Sequence, residues 1–202
     1  MTVSITRIPD QIAANATVTY VPDTSKNTSE SGVSGRKLMR PLLRNYLVTI
    51  SPDYADEMQA IVMAAGTRYP LSMRDPVANS LVEEEALIAS DGASAFVGKT
   101  WAPSTGNLSV FERVLILDGS VLIKINGVAA TSGSAVLGDY GVITLSPVLT
   151  PGVDTVEVTA SYLRPVCMLD APSANAFGPG QYQFHDIRLE QIFAAEFIRL
   201  TS

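Results

Sequence analysis

Thr155-Val156-Glu157-Val158-Thr159 alternates β-branched apolar and polar side chains more cleanly than any other stretch of the chain. A period of two is the mark of a strand that buries one face, so the segment predicts a sheet. The pattern spreads outward from it. Short β-prone runs cover Tyr69 to Met73, Leu81 to Ala89, Ala95 to Thr100, Val110 to Leu117, Val121 to Asn126, Gly141 to Leu145, Thr155 to Tyr162 and Val166 to Leu169. Asp91-Gly92, Asp118-Gly119, Asn126-Gly127 and Pro151-Gly152 lie between them, each Gly supplying the positive φ of a tight reversal. Asp186 to Ile192 alternates apolar and charged residues, as a half-buried or edge strand does. The fold class is therefore mainly β (α+β): an antiparallel β-sandwich or split barrel with one packing α-helix.

The helix is predicted over 52–65. Leu47 to Ile50 reads as a strand that runs into Ser51-Pro52-Asp53, where Ser51 suits a cap and Pro52 a first helical turn. Tyr54, Met58, Ile61, Val62 and Ala65 then recur at helical spacing, and Gly66 stands where a helix stops. Phe193 to Leu200 fits helix and strand equally. The polar run Asp23 to Gly32 has nothing to bury, so residues 1–35 read as a flexible N-terminal arm, with a short strand from Ala16 to Val21. A single β-rich domain follows over 36–202. Within it, Ala171 to Gln181 contains Pro172, Gly178, Pro179 and Gly180 and reads as a long loop suited to ordering by a partner.

Composition narrows the function classes. Apolar residues make up 47% of the 202 residues and charged residues 17%, which excludes a disordered chain. With 14 Lys and Arg against 20 Asp and Glu the net charge is −6, unsuited to gripping nucleic acid or anionic lipid. No run approaches the roughly 20 apolar residues of a membrane-spanning helix, and the N-terminus lacks a secretory pattern, so the chain is expected to stay soluble. Cys167 is the only cysteine and His185 the only histidine. Together they exclude an intramolecular disulfide, a thiolate-rich zinc site and a two-histidine metal site.

The remaining chemistry is sparse. Cys167 and His185 are the one available thiolate-imidazolium pair, against the usual fate of a lone cysteine as a small buried hydrophobe. Glu83-Glu84-Glu85 with Asp91 suggests paired acids or a hard-cation site, but consecutive strand residues point to opposite sides and no calcium-loop spacing surrounds them. A solvated strand face is the better reading. Lys99-Thr100 lacks the upstream glycines of a phosphate loop. The chain is thus expected to be no enzyme and to carry no cofactor and no metal. Its one basic patch, Arg36, Lys37, Arg40 and Arg44 around Leu38, Met39, Leu42 and Leu43, reads as a contact with an acidic neighbouring subunit or as a wet face. Trp101 suits an interface anchor and a core filler equally. Arg36, Lys37, Arg40, Arg44 and Trp101 are the candidate subunit-interface residues.

The order of segments resembles a phage tail family, a domain of unknown function related to the distal tail protein of gene transfer agents. The blocks are Ser34-Gly35-Arg36 ahead of Arg44-Asn45-Tyr46-Leu47-Val48, Tyr69 to Asp75, Phe96 to Trp101, Val121 to Val128, Asp139 to Leu145, Pro151-Gly152-Val153, Val156 to Met168 and Asp186 to Ile192. They span residues 34 to 192. The chain departs from the family in its longer polar N-terminal segment, at Tyr162-Leu163-Arg164 and at Cys167-Met168. The resemblance implies a virion protein of the tail tip, assembled in the bacterial host cytoplasm. It implies a homo-oligomeric ring, usually of six, joining the tail tube protein to hub or baseplate proteins, with DNA passing only transiently through its lumen and no membrane insertion. A second reading, from the hairpins and from Trp101, Tyr140 and Tyr182, is a β-sandwich binding module for host-surface carbohydrate or another tail component.

Overall fold

The structure, a computed structural model, describes residues 5–21, 24–28, 34–38, 43–66, 69–102, 109–170, 174–178, 181–184 and 186–201. The chain opens with α1 (Asp10–Ala13), β1 (Thr17–Val21), β2 (Thr24–Thr28), β3 (Ser34–Leu38) and β4 (Leu43–Val48). A 3-10 turn, Pro52–Tyr54, leads into α2 (Ala55–Ala65), and β5 (Leu71–Met73) follows. Next come β6 (Ser80–Glu85), β7 (Leu87–Ile88), β8 (Ser94–Phe96), β9 (Gly98–Trp101), β10 (Val110–Arg113), β11 (Ile116–Ile125), β12 (Val128–Ala129), β13 (Ala135–Leu137) and β14 (Val142–Leu145). The chain closes with β15 (Val156–Met168), β16 (Ala174–Gly178), β17 (Gln181–Phe184), β18 (Ile187–Gln191) and α3 (Ala194–Thr201). The fold is mainly β and antiparallel, an α+β sandwich. Its largest sheet runs β1-β4-β18-β15-β11-β12 and stays open.

β15 is the spine. It begins at the alternating segment 155–159 and runs for 13 residues, where the sequence suggested two strands split at Arg164-Pro165. Its N-terminal half pairs with β11 on one edge and β6 on the other; its C-terminal half pairs with β18 and β5. Pro165 fits because of where this exchange falls. Its carbonyl accepts from Ile192 N at 2.9 Å, so its nitrogen faces the same edge, in the gap between the last β11 pair, Leu163 with Ile116, and the first β18 pair, Val166 with Gln191. No ladder donor is missed there.

Two hydrophobic cores share this strand. Val156, Val158, Ala160 and Tyr162 belong to a core built with Leu81, Ala95, Val97, Ile143 and Leu145, where sheet packs on sheet. Val166 and Met168 belong to another, built with Ile8, Ile12, Tyr46, Val48, Leu71, Met73, Ile187 and Leu189, which α2 covers with Met58, Ile61 and Ala65. The helix ends at Gly66, whose φ is +56°. Ser51 precedes the 3-10 turn that leads into it; its carbonyl accepts from Tyr54 N at 3.0 Å, and its hydroxyl makes no capping bond.

Several expectations need adjustment. Residues 1–35 are not an arm throughout: Ile8, Ile12 and Ala13 are buried in the core that α2 covers, and β1 pairs with β4. The polar run contains β2, which pairs with β3 as a hairpin. The loop expected over Ala171 to Gln181 contains β16 and the start of β17, also a hairpin. Gly119, read as a reversal, has its positive φ inside β11, where the register against β15 shifts between Asp118 and Leu122. It serves a bulge. Asn126 and Gly127 do form the turn from β11 to β12, both with positive φ. The ambiguous C-terminal segment is helical, with Phe197 buried beside Leu115 and Ile192.

Candidate functional site

The two cores meet at charges. On β15 every second residue from Val156 to Met168 points into the interior, and Arg164 occupies the middle of that series. Strand alternation brings the others to the same place. Arg44 lies in phase with Tyr46 and Val48 on β4, Asp75 with Leu71 and Met73 just past β5, and Gln191 with Ile187 and Leu189 on β18. β10 contributes Glu112.

Glu112 is the hub. Its Oε1 accepts from Arg44 Nη1 at 2.6 Å, from Gln191 Nε2 at 2.8 Å and from Arg164 Nη1; its Oε2 accepts from Arg44 Nη2 at 3.1 Å and Trp101 Nε1 at 2.8 Å. Asp75, fully buried, anchors the other side. Its Oδ2 accepts from Arg164 Nε and from Tyr46 OH at 3.1 Å, while Oδ1 holds the next turn through Val77 N at 2.8 Å and Ala78 N at 3.2 Å. Arg164 Nη2 donates to Tyr162 OH at 3.0 Å. Two guanidinium groups therefore face two carboxylates, and the buried quartet is neutral.

Burial would push the Glu112 carboxyl up, but Arg164, Arg44 and Gln191 outweigh it and hold it down at about 2. Burial pushes Tyr162 up to about 12 and raises Tyr46 further. Burial opposes the charge on Arg164, and Glu112, Tyr162, Tyr46 and Asp75 around it together more than restore it. Near neutrality Glu112 stays ionised and Tyr46 and Tyr162 stay protonated, which keeps their hydrogen bonds to the two guanidinium groups and to Asp75 in place. A cleft of about 300 Å³ opens beside the cluster at the gap in the β15 ladder, lined by Phe111, Glu112, Arg164, Pro165, Gln191 and Ala194 among others.

The structure brings together two of the residues singled out from sequence. Arg44 and Trp101 both bind Glu112, and the Arg44 guanidinium lies 5.2 Å from the Trp101 ring centre. Arg44 is thus corrected from an outward basic patch to an interior position, because its strand phase places it beside Tyr46. Trp101 is half-buried and satisfied within its own chain. Arg36 and Lys37 lie on β3 opposite Lys26 and Ser25, with their side chains outside the described residues; Arg40 lies outside them altogether. Asp75, Glu112, Arg164 and Gln191 were missed. The available signal was a polar residue in phase with apolar neighbours, legible at Asp75, Arg164 and Gln191.

The other candidates fall elsewhere. Cys167 is half-buried and its thiol is pushed up by burial and by Glu190 and Glu196, away from a reactive thiolate; His185 lies outside the described residues. Glu83 is exposed and pairs with Lys124, and Glu84 lies 3.8 Å from Lys99. Among the described residues no group of three or more His, Cys, Asp and Glu is placed to hold a metal ion. Tyr140 packs edge-on against Phe197, and the side chain of Tyr182 lies outside the described residues. No protein-family model matches the chain, and no curated protein matches it.

Proposed function

We propose that this chain is a structural subunit, without catalytic activity, that assembles into a ring at the distal end of a phage or phage-like tail. The ring, of six subunits in keeping with the family resemblance, connects the tail tube to the hub or baseplate and leaves a lumen through which DNA passes. One observation carries the reading: two hairpins are attached to opposite ends of one open sheet. β2 and β3 continue from β1 and β4 at the end where Val21 pairs with Leu43. β16 and β17 continue from β15 and β18 beyond Met168 and Leu189, at the end where Val48 pairs with Ile187.

A subunit with a hairpin at each end of one open sheet, the second of them also in contact with α2, suits an adaptor that ties neighbours on two sides. The open edges at β1 and β12 favour contacts that close on themselves, since a completed rotation covers exposed strands. The acidic balance lets a polyanion pass without sticking. The Glu112 cluster suits the same role, because it spends its polar groups on holding two cores in one orientation. Electron microscopy of the purified chain at high concentration tests the proposal. Rings with a central opening are expected; a chain that stays monomeric would overturn it.

A further inference from the structure

The outer face of the β7-β8-β14-β13 sheet carries, on an apolar surface, a cation with no carboxylate partner among the described residues. The inner face of this sheet holds Ala95, Ile143 and Leu145 in the core. Residues paired across strands share a face, so Leu87, Phe96 and Val142 form one outward row, and Ser94, Thr144 and Val136 the next. Leu87 is 55% exposed and Val136 54%. Neither row contains a charge.

Arg113 lies over this surface, its guanidinium 4.5 Å from the Phe96 ring centre. Nη2 donates to the Tyr140 carbonyl at 3.2 Å, and Nε is buried without a partner. Among the described residues it has no carboxylate within ion-pair distance, unlike Arg7, Arg44, Arg74 and Arg164, which all do. A half-buried cation on aromatic and aliphatic carbon fits a partner that brings both apolar side chains and a carboxylate.

The chain itself offers such a surface. α2 contains no Lys or Arg, and its outward side presents Ala60, Met63 and Ala64, with Met63 79% exposed, while Glu57 stands one turn before Ala60. Glu57, Ala60 and Ala64 share one helical face. We infer that α2 of a second copy docks on this sheet face, with Glu57 meeting Arg113 and Met63 lying on the row of Leu87, Phe96 and Val142. α2 covers the core that holds Val166 and Met168, and the sheet belongs to the core that holds Val156 and Val158, so donor and acceptor are different surfaces of each subunit. The contact is head-to-tail, and repetition of it closes a ring or extends a filament. The inference rests on the self-assembly proposed above.

Native mass spectrometry of exposed-site variants tests it, with circular dichroism to verify folding. Leu87→Asp damages only the accepting face and Met63→Asp only the donating one. Each alone is expected to weaken self-association by roughly tenfold or more, since a carboxylate is then forced into an apolar contact. Mixed together, they retain one intact pairing and are expected to stop at a one-to-one dimer. Arg113→Glu combined with Glu57→Arg is expected to recover assembly that either single change loses. Wild-type rings with both aspartate variants still forming them would overturn this contact and leave the ring proposal standing. Open chains or dimers in the wild type that the variants dissolve would do the reverse. A wild-type chain that is monomeric throughout overturns both, as does a mixture that yields no dimer for the contact alone.

Discussion

Glu112 and Arg113 are adjacent on β10 and belong to opposite regimes. Glu112 faces the junction of the two cores, where five donors from Arg44, Arg164, Gln191 and Trp101 reach its two oxygens. Arg113 faces the outer sheet, where its charge rests on Phe96 with no carboxylate in reach among the described residues. The difference teaches where this protein has placed its electrostatic energy. Charges turned inward are paired with opposite charges, although Arg44 Nε itself has no hydrogen-bond partner among the described residues. The charge turned outward has no carboxylate partner among the described residues, and the contact proposed above would supply one.

The largest expected effect comes from emptying the hub. Glu112→Ala leaves two buried guanidinium groups sharing only Asp75, and the loss of one partner from such a cluster costs about 3–5 kcal/mol. Urea denaturation at neutral pH reads it directly. Acid comes next. The folded Glu112 carboxyl sits at about 2, below its ordinary 4.5, so its contribution is complete above about pH 4.5 and disappears as the pH falls toward 2. That difference is roughly 3 kcal/mol. Glu112→Gln should flatten this acid limb; a limb of unchanged steepness would show that the hub is not what acid disrupts.

Smaller effects sharpen the boundary between the regions. Gly141 has φ +63°, and a Cβ there would stand 2.0 Å from the Val114 carbonyl oxygen, which follows directly on Arg113. Gly141→Ala should cost about 1–3 kcal/mol by combining left-handed strain with overpacking, measured as a lowered urea midpoint. Trp101→Phe removes a single hydrogen bond to the Glu112 carboxylate and should cost about 1.5–3 kcal/mol at most. Arg113→Met should fall within about 0.5 kcal/mol of wild type, because it removes an unpaired charge and keeps the carbon that covers Phe96. A loss as large as that of Glu112→Ala would erase the contrast.

The sequence made the sheet, the helix over 52–65 and most turns legible, because they rest on local periodicity and on Gly or Pro at fixed offsets. The spine was split in two at Arg164-Pro165. A charged residue and a proline ordinarily end a strand, and only the tertiary exchange of β11 for β18 gives Pro165 an edge that needs no donor. The site was harder for the same reason. Asp75 follows Leu71 and Met73 in phase, and Gln191 follows Ile187 and Leu189, yet phase alone does not say that these strands converge on Arg164. Arg44 looked like part of a basic patch because Arg36, Lys37 and Arg40 precede it; its alternation with Tyr46 and Val48 was the stronger signal. Long-range pairing decides which polar residues meet, and no local pattern encodes it.

We propose that inward charges hold the subunit and that an outward charge holds the assembly. Measuring unfolding free energy and native oligomer mass in parallel for Glu112→Gln and Arg113→Glu tests it most directly. Glu112→Gln is expected to be less stable yet to assemble while folded, whereas Arg113→Glu is expected to keep its subunit fold and lose the oligomer. Loss of assembly in Glu112→Gln while folded, with full assembly in Arg113→Glu, would contradict it.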